Sequence, residues 1–239
     1  MTKAEPASGP GETGRAASAN NLALRVVSAV VLAPVAVLAA YVGGWPFALF
    51  WGAAAIAVLC EWVTLVAGAG WIIAGIGYAG VMLAAPMVLR ADETYGFLAM
   101  VLLFAIVWTT DILGYFAGKA IGGPKLLPAI SPKKTWSGAI AGALGAMLVA
   151  VLVGRLFGTF NAAAIAIIAL LLSVVAQLGD LLESWVKRRF GAKDASHLIP
   201  GHGGVMDRLD GFWAAALVGC LIGLLRGGFD APARGLLIW

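Results

Sequence analysis

Charge is what this chain lacks most. It carries 16 Lys+Arg and 12 Asp+Glu among 239 residues, 12% of the total, while 62% of its residues are hydrophobic. Ordinary soluble domains hold about 25% charged and about 45–50% apolar residues. Too few polar side chains remain to cover a water-facing globule, so a soluble enzyme or a nucleic-acid module is excluded. The few charges are also unevenly placed. Glu61 is the only one from Val26 to Leu89 and Arg155 the only one from Thr135 to Gly179, yet ten fall between Asp180 and Asp210. The pattern is that of a polytopic membrane protein whose chemistry sits in a few segments.

Cysteine is nearly absent as well. Cys60 and Cys220 each lie inside an apolar run and read as small buried hydrophobes without a disulfide. No period repeats along the chain, and neither half mirrors the other as in many transporters. Residues 1–21 are rich in Gly, Ala, Pro and Ser and have no apolar core of the signal-peptide kind; they are expected to form a disordered tail. The net charge of +4 is no nucleic-acid footprint, because the cations sit in loops between apolar stretches.

A helix needs about 20 mostly apolar residues to cross a bilayer core of about 30 Å. Such runs occur at about 22–42, 45–67, 71–89, 96–117, 136–157, 160–182 and 211–227. The expected fold is therefore an all-α bundle of about seven transmembrane helices: a first half over 22–117 and a catalytic half over 118–239. Loops 118–135 and 183–210 together hold nine of the sixteen Lys and Arg residues. By the positive-inside tendency both loops and the N-terminus face the cytoplasm, which gives a multi-pass inner (plasma) membrane protein with its polar cavity on that side.

Three acids, Glu61, Asp111 and Asp180, stand where a membrane helix should be apolar. An ionised carboxylate there is costly unless paired, metal-bound or open to water. Glu61 reads as deep in its span, whereas Asp111 and Asp180 lie near the ends of theirs. At about 100° per residue, Gln177, Asp180, Ser184, Lys187 and Arg188 share one helix face. A stripe that runs from amide and carboxylate to two cations suits a metal followed by phosphates, although Lys and Arg at a helix end also anchor to lipid phosphates. Beyond it come Lys193-Asp194, Pro200-Gly-His202-Gly203-Gly204 and Asp207-Arg208-Leu-Asp210. Glycines let backbone N–H groups approach an anion, and carboxylates three residues apart can hold a divalent cation that bridges to phosphate.

The stretch Ser184-Trp-Val-Lys187-Arg188-x4-Lys193-Asp194-Ala-Ser196-x2-Ile199-Pro200-Gly-His202-Gly203-Gly204-Val-Met-Asp207-Arg208-Leu-Asp210 resembles the signature of the phosphatidate cytidylyltransferase (CDP-diacylglycerol synthase) family. Ser131-Pro-Lys133-Lys134-Thr-Trp136 and Asp111-x2-Gly-Tyr115-x2-Gly118-Lys119 are similar to other motifs of that family. One position departs: the family usually has Glu where this chain has Ser137. The resemblance implies transfer of CMP from CTP to phosphatidate, giving CDP-diacylglycerol and pyrophosphate.

The resemblance and the residue chemistry together set expectations for each side chain. Asp180 and Asp207 hold a divalent metal, Mg²⁺ or similar, with Asp111 and Gln177 contributing and Asp210 behind them; a second, monovalent cation is left open. Lys187, Arg188, Lys193 and Arg208 neutralise phosphates. Ser131, Lys133 and Lys134 bind phosphate or headgroup from the other loop, with Ser184, Gly203 and Gly204 lining the substrate. Asp194 orients Lys193 or Arg208, and His202 donates to a phosphate oxygen or to the departing pyrophosphate. His197 reads as structural. The expected partners are CTP, phosphatidate and membrane lipid, with no nucleic acid and a homodimer left open. A transporter would bury its polar cluster at midplane between similar halves. A CDP-alcohol phosphotransferase would need Arg and further spaced aspartates after Asp210-Gly211. A CTP-dependent lipid kinase would share nucleotide, metal and membrane but lacks reason for the long signature.

Overall fold

The computed structural model describes residues 30–158, 161–196, 198 and 203–239. Within them eight helices follow one another: α1 (Val30–Val42), α2 (Gly44–Leu65), α3 (Ala69–Arg90), α4 (Gly96–Ile121), α5 (Trp136–Phe157), α6 (Ala162–Arg189), α7 (Met206–Gly227) and the short α8 (Pro232–Leu237). Helices α2 to α7 are each long and apolar enough to cross a membrane. Of the seven expected spans, the one at 22–42 is described only from Val30 onward and the one at 160–182 only from Asn161; the six long helices match the later six. The protein is an all-α, multi-pass integral membrane protein. The expected tail, residues 1–21, lies outside the described residues.

The basic loop between α4 and α5 is not irregular throughout. It contains a small antiparallel ribbon, β1 (Lys125–Leu127) against β2 (Ser131–Thr135), with Lys125 opposite Thr135 and Leu127 opposite Ser131. β2 runs straight into α5, whose first turn is capped by Thr135 accepting from the Gly138 N–H at 3.2 Å. Ser137, where the family usually has Glu, donates to the Gly122 carbonyl and shares a 3.0 Å hydrogen bond with Thr135. Its hydroxyl therefore ties the end of α4 to the start of α5.

The opposite end of the bundle is closed by different means. The chain breaks between α1 and α2 at Gly43, whose φ is 68°, and Arg90 donates to the Ala40 and Tyr41 carbonyls at 2.5 and 3.2 Å. A cation at a helix C-terminus satisfies free carbonyls and complements the helix dipole. Asp92 does the converse at α4, accepting from the Thr94 and Tyr95 N–H groups and from the Arg234 N–H of α8.

The interior is apolar and aromatic. Trp51 of α2, Phe104 of α4 and Phe212 of α7 stack at centroid separations of 5.0 and 5.2 Å. Cys220 is buried as expected, but Cys60 faces outward, because its helix turns an apolar face to lipid rather than to a second protein layer. That outer surface is plainest on α5, where Ile140, Leu144, Leu148, Leu152 and Leu156 form one exposed ridge.

The inner face of α5 carries glycine instead. A Cβ at Gly138 would collide with the Gly114 carbonyl of α4, and one at Gly142 would lie 2.6 Å from the Thr110 carbonyl. Likewise α6 meets α7 at Gly179, where a Cβ would lie 2.7 Å from that of Ala214. Between membrane helices, small residues provide the close van der Waals packing that hydrophobicity cannot supply. Gly142→Leu should lower stability in detergent by about 1–3 kcal/mol through overpacking, whereas Leu148→Ala on the exposed ridge should change the melting temperature little. Equal melting shifts for the two would contradict the assigned interface.

Candidate active site

The close helix contacts set a group of polar side chains around one cavity of about 760 Å³. α4 contributes Asp111, Tyr115 and Lys119; the ribbon and its approach contribute Lys125, Lys133 and Lys134; α6 contributes Gln177 and Asp180; α7 contributes Asp207, Arg208 and Asp210. All come from the same end of the bundle: the C-terminal halves of α4 and α6, the first two turns of α7, and the ribbon. Thus Asp111, Lys133, Lys134, Gln177, Asp180, Asp207, Arg208 and Asp210, expected from the sequence to act together, do share one space.

Within it, charges face each other. Lys134 of β2 forms an ion pair with Asp180 of α6, and neither side chain is fully buried. The other oxygen of Asp180 accepts from Ser184 at 3.3 Å, so Ser184 positions a carboxylate and does not face the cavity. Gln177 donates to the Ala139 carbonyl of α5 at 3.3 Å and to Ser173 at 3.4 Å. Ser173 in turn shares a 2.7 Å bond with Thr110 of α4. A polar chain therefore crosses α4, α5 and α6 beneath the carboxylates. Asp111, Asp180 and Asp210 lie within Coulombic reach of one another.

Two expectations change at the glycine-rich loop. Asp207 was read as a metal ligand, but Lys187 donates to one of its oxygens at 2.5 Å. The Ala195 and Gly204 N–H groups donate to the other at 2.9 and 2.8 Å. Lys187, read as a phosphate ligand, is 7% exposed and also donates to Glu183 at 2.9 Å. Two carboxylates hold this ammonium inside the bundle, because a buried cation without partners would be prohibitively costly.

The second change concerns the glycines. Glu61 lies near the end of α2, not deep in its span, and accepts from Ser196 Oγ at 2.7 Å and from the Val205 and Met206 N–H groups at 2.9 and 2.8 Å. It thereby caps α7 from another helix, a place where negative charge is favoured. A Cβ at Gly204 would lie 2.6 Å from Glu61, and one at Gly203, whose φ is 85°, would lie 2.8 Å from Asp207. The glycines do bring backbone N–H groups to anions, as expected, but these anions are the chain's own carboxylates.

The remaining expected residues fall outside the cavity lining. Ser131 is half-buried at the start of β2, Arg188 donates to the Ala192 carbonyl at 3.1 Å, and Lys193 and Asp194 are exposed. His202 and His197 lie outside the described residues. Sequence reasoning missed three structural roles: Glu61 as the cap of α7, Glu183 as a partner of Lys187, and Thr135 as the cap of α5. For Glu61 its isolation among 64 almost uncharged positions was the available signal.

Replacing Glu61 with Ala would leave two backbone donors and a hydroxyl without their charged acceptor. Hydrogen bonds to charged groups contribute about 1.5–3 kcal/mol each. Glu61→Ala should therefore lower the melting temperature and speed proteolysis between residues 190 and 206, with Glu61→Gln intermediate. A wild-type cleavage rate in Glu61→Ala would sink the capping role.

Comparison with known proteins identifies the family. The model of the cytidylyltransferase family matches residues 66–224. A phosphatidate cytidylyltransferase of Brucella suis biovar 1 (strain 1330) is 40% identical over 263 aligned residues, covering 90% of this chain and 97% of its own. One from Rickettsia bellii (strain RML369-C) is 39% identical over 202 residues, covering 80% and 86%, and one from Rickettsia felis (strain ATCC VR-1525 / URRWXCal2) is 35% identical over 213, covering 86% and 93%. The matched region spans the helices and loops that build the cavity, and by these similarities the chain belongs to the cytidylyltransferase family, among the phosphatidate cytidylyltransferases.

Proposed function

We infer that the protein transfers CMP from CTP to phosphatidate, giving CDP-diacylglycerol and pyrophosphate. The observation that carries this reading is the cavity itself: Lys119, Lys125, Lys133, Lys134 and Arg208 line it together with the carboxylates of α4, α6 and α7. Relatives of 40% identity carry the name of this activity.

The chemistry asks for little beyond charge placement. A phosphate monoester has its second pKa near about 6, so phosphatidate reaches the site as a dianionic nucleophile and needs no general base. One of its oxygens attacks the α-phosphorus of CTP; the bond from that phosphorus to the bridging oxygen breaks, and pyrophosphate leaves with the electron pair. The obstacle is repulsion between a dianion and a triphosphate, and preorganised cations aimed at the transferring group remove it. In this reading Lys133 and Lys134, stiffened by the ribbon, meet phosphate oxygens from one side and Arg208 from another.

A divalent cation fits the donor chemistry of the same cavity. Asp111, Asp180 and Asp210 supply hard carboxylate oxygens and Gln177 an amide oxygen, the set that suits Mg²⁺. Among the described residues no three acidic, imidazole or thiol groups are already gathered at ligating distance, and Asp180 is paired with Lys134. We therefore propose Asp180 as the principal ligand with Asp111 and Asp210 beside it, and Asp207 as the loop anchor. The metal when bound would supply charge neutralisation at the phosphates, and Lys134 would exchange its carboxylate for a phosphate oxygen. The basic loops support an inner-membrane topology with the cavity open to the cytoplasm.

The test uses purified protein, phosphatidate and CTP with and without chelator. Label from the α-phosphate should enter a lipid-extractable product while label from the γ-phosphate leaves in pyrophosphate, both only with divalent metal present. Entry of γ-label into lipid would make the protein a CTP-dependent kinase instead. Asp180→Asn should lower turnover by about 100-fold or more with an unchanged melting curve, and near-normal turnover would remove Asp180 from the site.

A further inference from the structure

Two buried hydroxyls stand midway along apolar spans beside the reaction cavity: Thr110 of α4, 3% exposed, and Ser173 of α6, fully buried. Valine and alanine would fill the same space without a polar atom, so the use of these hydroxyls has to be read from their protons. Each has one to give. Thr110 Oγ1 lies 2.8 Å from the Ile106 carbonyl, which can only accept, so the Thr110 proton is committed there. Thr110 and Ser173 are 2.7 Å apart with a proton between them, and Ser173 must supply it. Ser173 Oγ is left with lone pairs alone toward its other neighbour, Gln177 Nε2, at 3.4 Å.

The Gln177 amide is oriented by this order. It offers an acceptor on one side and two donors on the other, and its neighbours decide which goes where. On α5 it meets the Ala139 carbonyl at 3.3 Å, again an acceptor only, and on α6 it meets the lone pairs of Ser173. Both places require N–H, so Nε2 serves both and its two protons are used. Oε1 is what remains. No donor among the described residues reaches it, and it is not one of their buried polar atoms without a partner; it therefore opens on the cavity that Gln177 lines together with Asp111, Asp180 and Asp210. Toward carboxylates alone an amide would turn its N–H groups, yet the network turns its oxygen. That orientation adds repulsion among anions and becomes favourable when a hard cation stands between them.

We propose that Thr110 and Ser173 are positioning residues that hold the Gln177 amide oxygen toward a divalent cation, a role that rests on the metal reading of the carboxylate cavity. Neither hydroxyl touches the cation. Gln177 N–H donates to Ser173, Ser173 O–H to Thr110, and Thr110 O–H to the Ile106 carbonyl. Both ends of the network are backbone carbonyls, of Ile106 and Ala139, and a carbonyl cannot donate; the order therefore cannot run backwards and the amide cannot turn over. Ser173 stands one turn before Gln177 and Thr110 one residue before Asp111, so the ligands and their support come from the same two helices. Groups that orient a metal ligand from behind typically change metal affinity by about 10–100-fold when they are removed.

Binding of Mn²⁺ tests this apart from turnover, because free Mn²⁺ is read directly by electron paramagnetic resonance. The ion is titrated into the full chain in detergent, with phosphatidate absent and with or without CTP, against the same solutions without protein. The wild-type chain should take up Mn²⁺. Thr110→Val and Ser173→Ala should each weaken uptake about tenfold, while Thr110→Ser, which keeps the hydroxyl, should match the wild type. Gln177→Leu should weaken uptake by a similar factor. Adding Thr110→Val or Ser173→Ala to Gln177→Leu should then cost nothing more, since no amide is left to orient. Ser173→Ala removes a single oxygen and carries the test, alone and in the double variant, if Thr110→Val fails to fold. Wild-type affinity in both single variants would overturn the positioning role and leave the metal in place. A double variant about tenfold weaker than Gln177→Leu, or without uptake, would mean that the hydroxyls act on packing and not through Gln177, and would overturn it as well. No uptake by the wild-type chain in either condition would instead overturn the metal reading, and the positioning role with it.

Discussion

Polar groups in the bilayer-spanning part of this protein are costly unless they are paired inside the chain, because lipid offers them no partner. That constraint explains the contacts at the polar end of the bundle. The first turn of α7 has N–H groups that no preceding turn can satisfy, and Glu61 of α2 satisfies two of them. Lys187 is a buried cation, and Glu183 and Asp207 neutralise it. Asp207 in turn holds both edges of the glycine-rich loop. One connected set of bonds thus joins α2, α6, residues 195, 196 and 204, and the start of α7.

Packing adds the second half of the arrangement. Glycines at the α4–α5 and α6–α7 contacts bring those helices to backbone contact, which places Asp111, Asp180 and Asp210 around one cavity. The Thr110–Ser173–Gln177 chain, which ends on the Ala139 carbonyl, fixes α4, α5 and α6 in rotation as well as distance. Three of the four cavity lysines, Lys125, Lys133 and Lys134, come from a different source, a short ribbon whose second strand continues into α5. The acids thus stand on packed helices and these three lysines on a ribbon, and the Lys134–Asp180 pair joins the two.

Much of this could be read from the residues in order. Apolar runs marked the membrane helices, since a bilayer imposes length and hydrophobicity together, and the density of charge from Asp180 to Asp210 marked the site. What could not be read was pairing over distance. Glu61 meets Met206 across 145 positions, and no local pattern announces that the anion facing Gly204 is a side chain of the protein. Read from the sequence, Asp207 stands ahead of Asp210 as a metal ligand for the same reason: spacing shows that two carboxylates share a helix end but not which one is already bonded. The ribbon was hidden because Ser131-Pro132-Lys133-Lys134-Thr135 has the composition of an open loop, and only its register against Lys125 reveals it.

The pairing of Lys134 with Asp180 has a consequence for the way an anion finds the site. The described residues lining the cavity include five cations and four carboxylates, so seen from a Debye length away, about 8 Å at physiological salt, the opening carries little net field. Long-range steering accelerates association only where one sign of charge dominates. Capture of a nucleotide here thus depends on short-range exchange of partners more than on attraction from afar. The rate of encounter should then respond weakly to ionic strength, while discrimination is made after contact, where a phosphate must compete with an aspartate for the same ammonium.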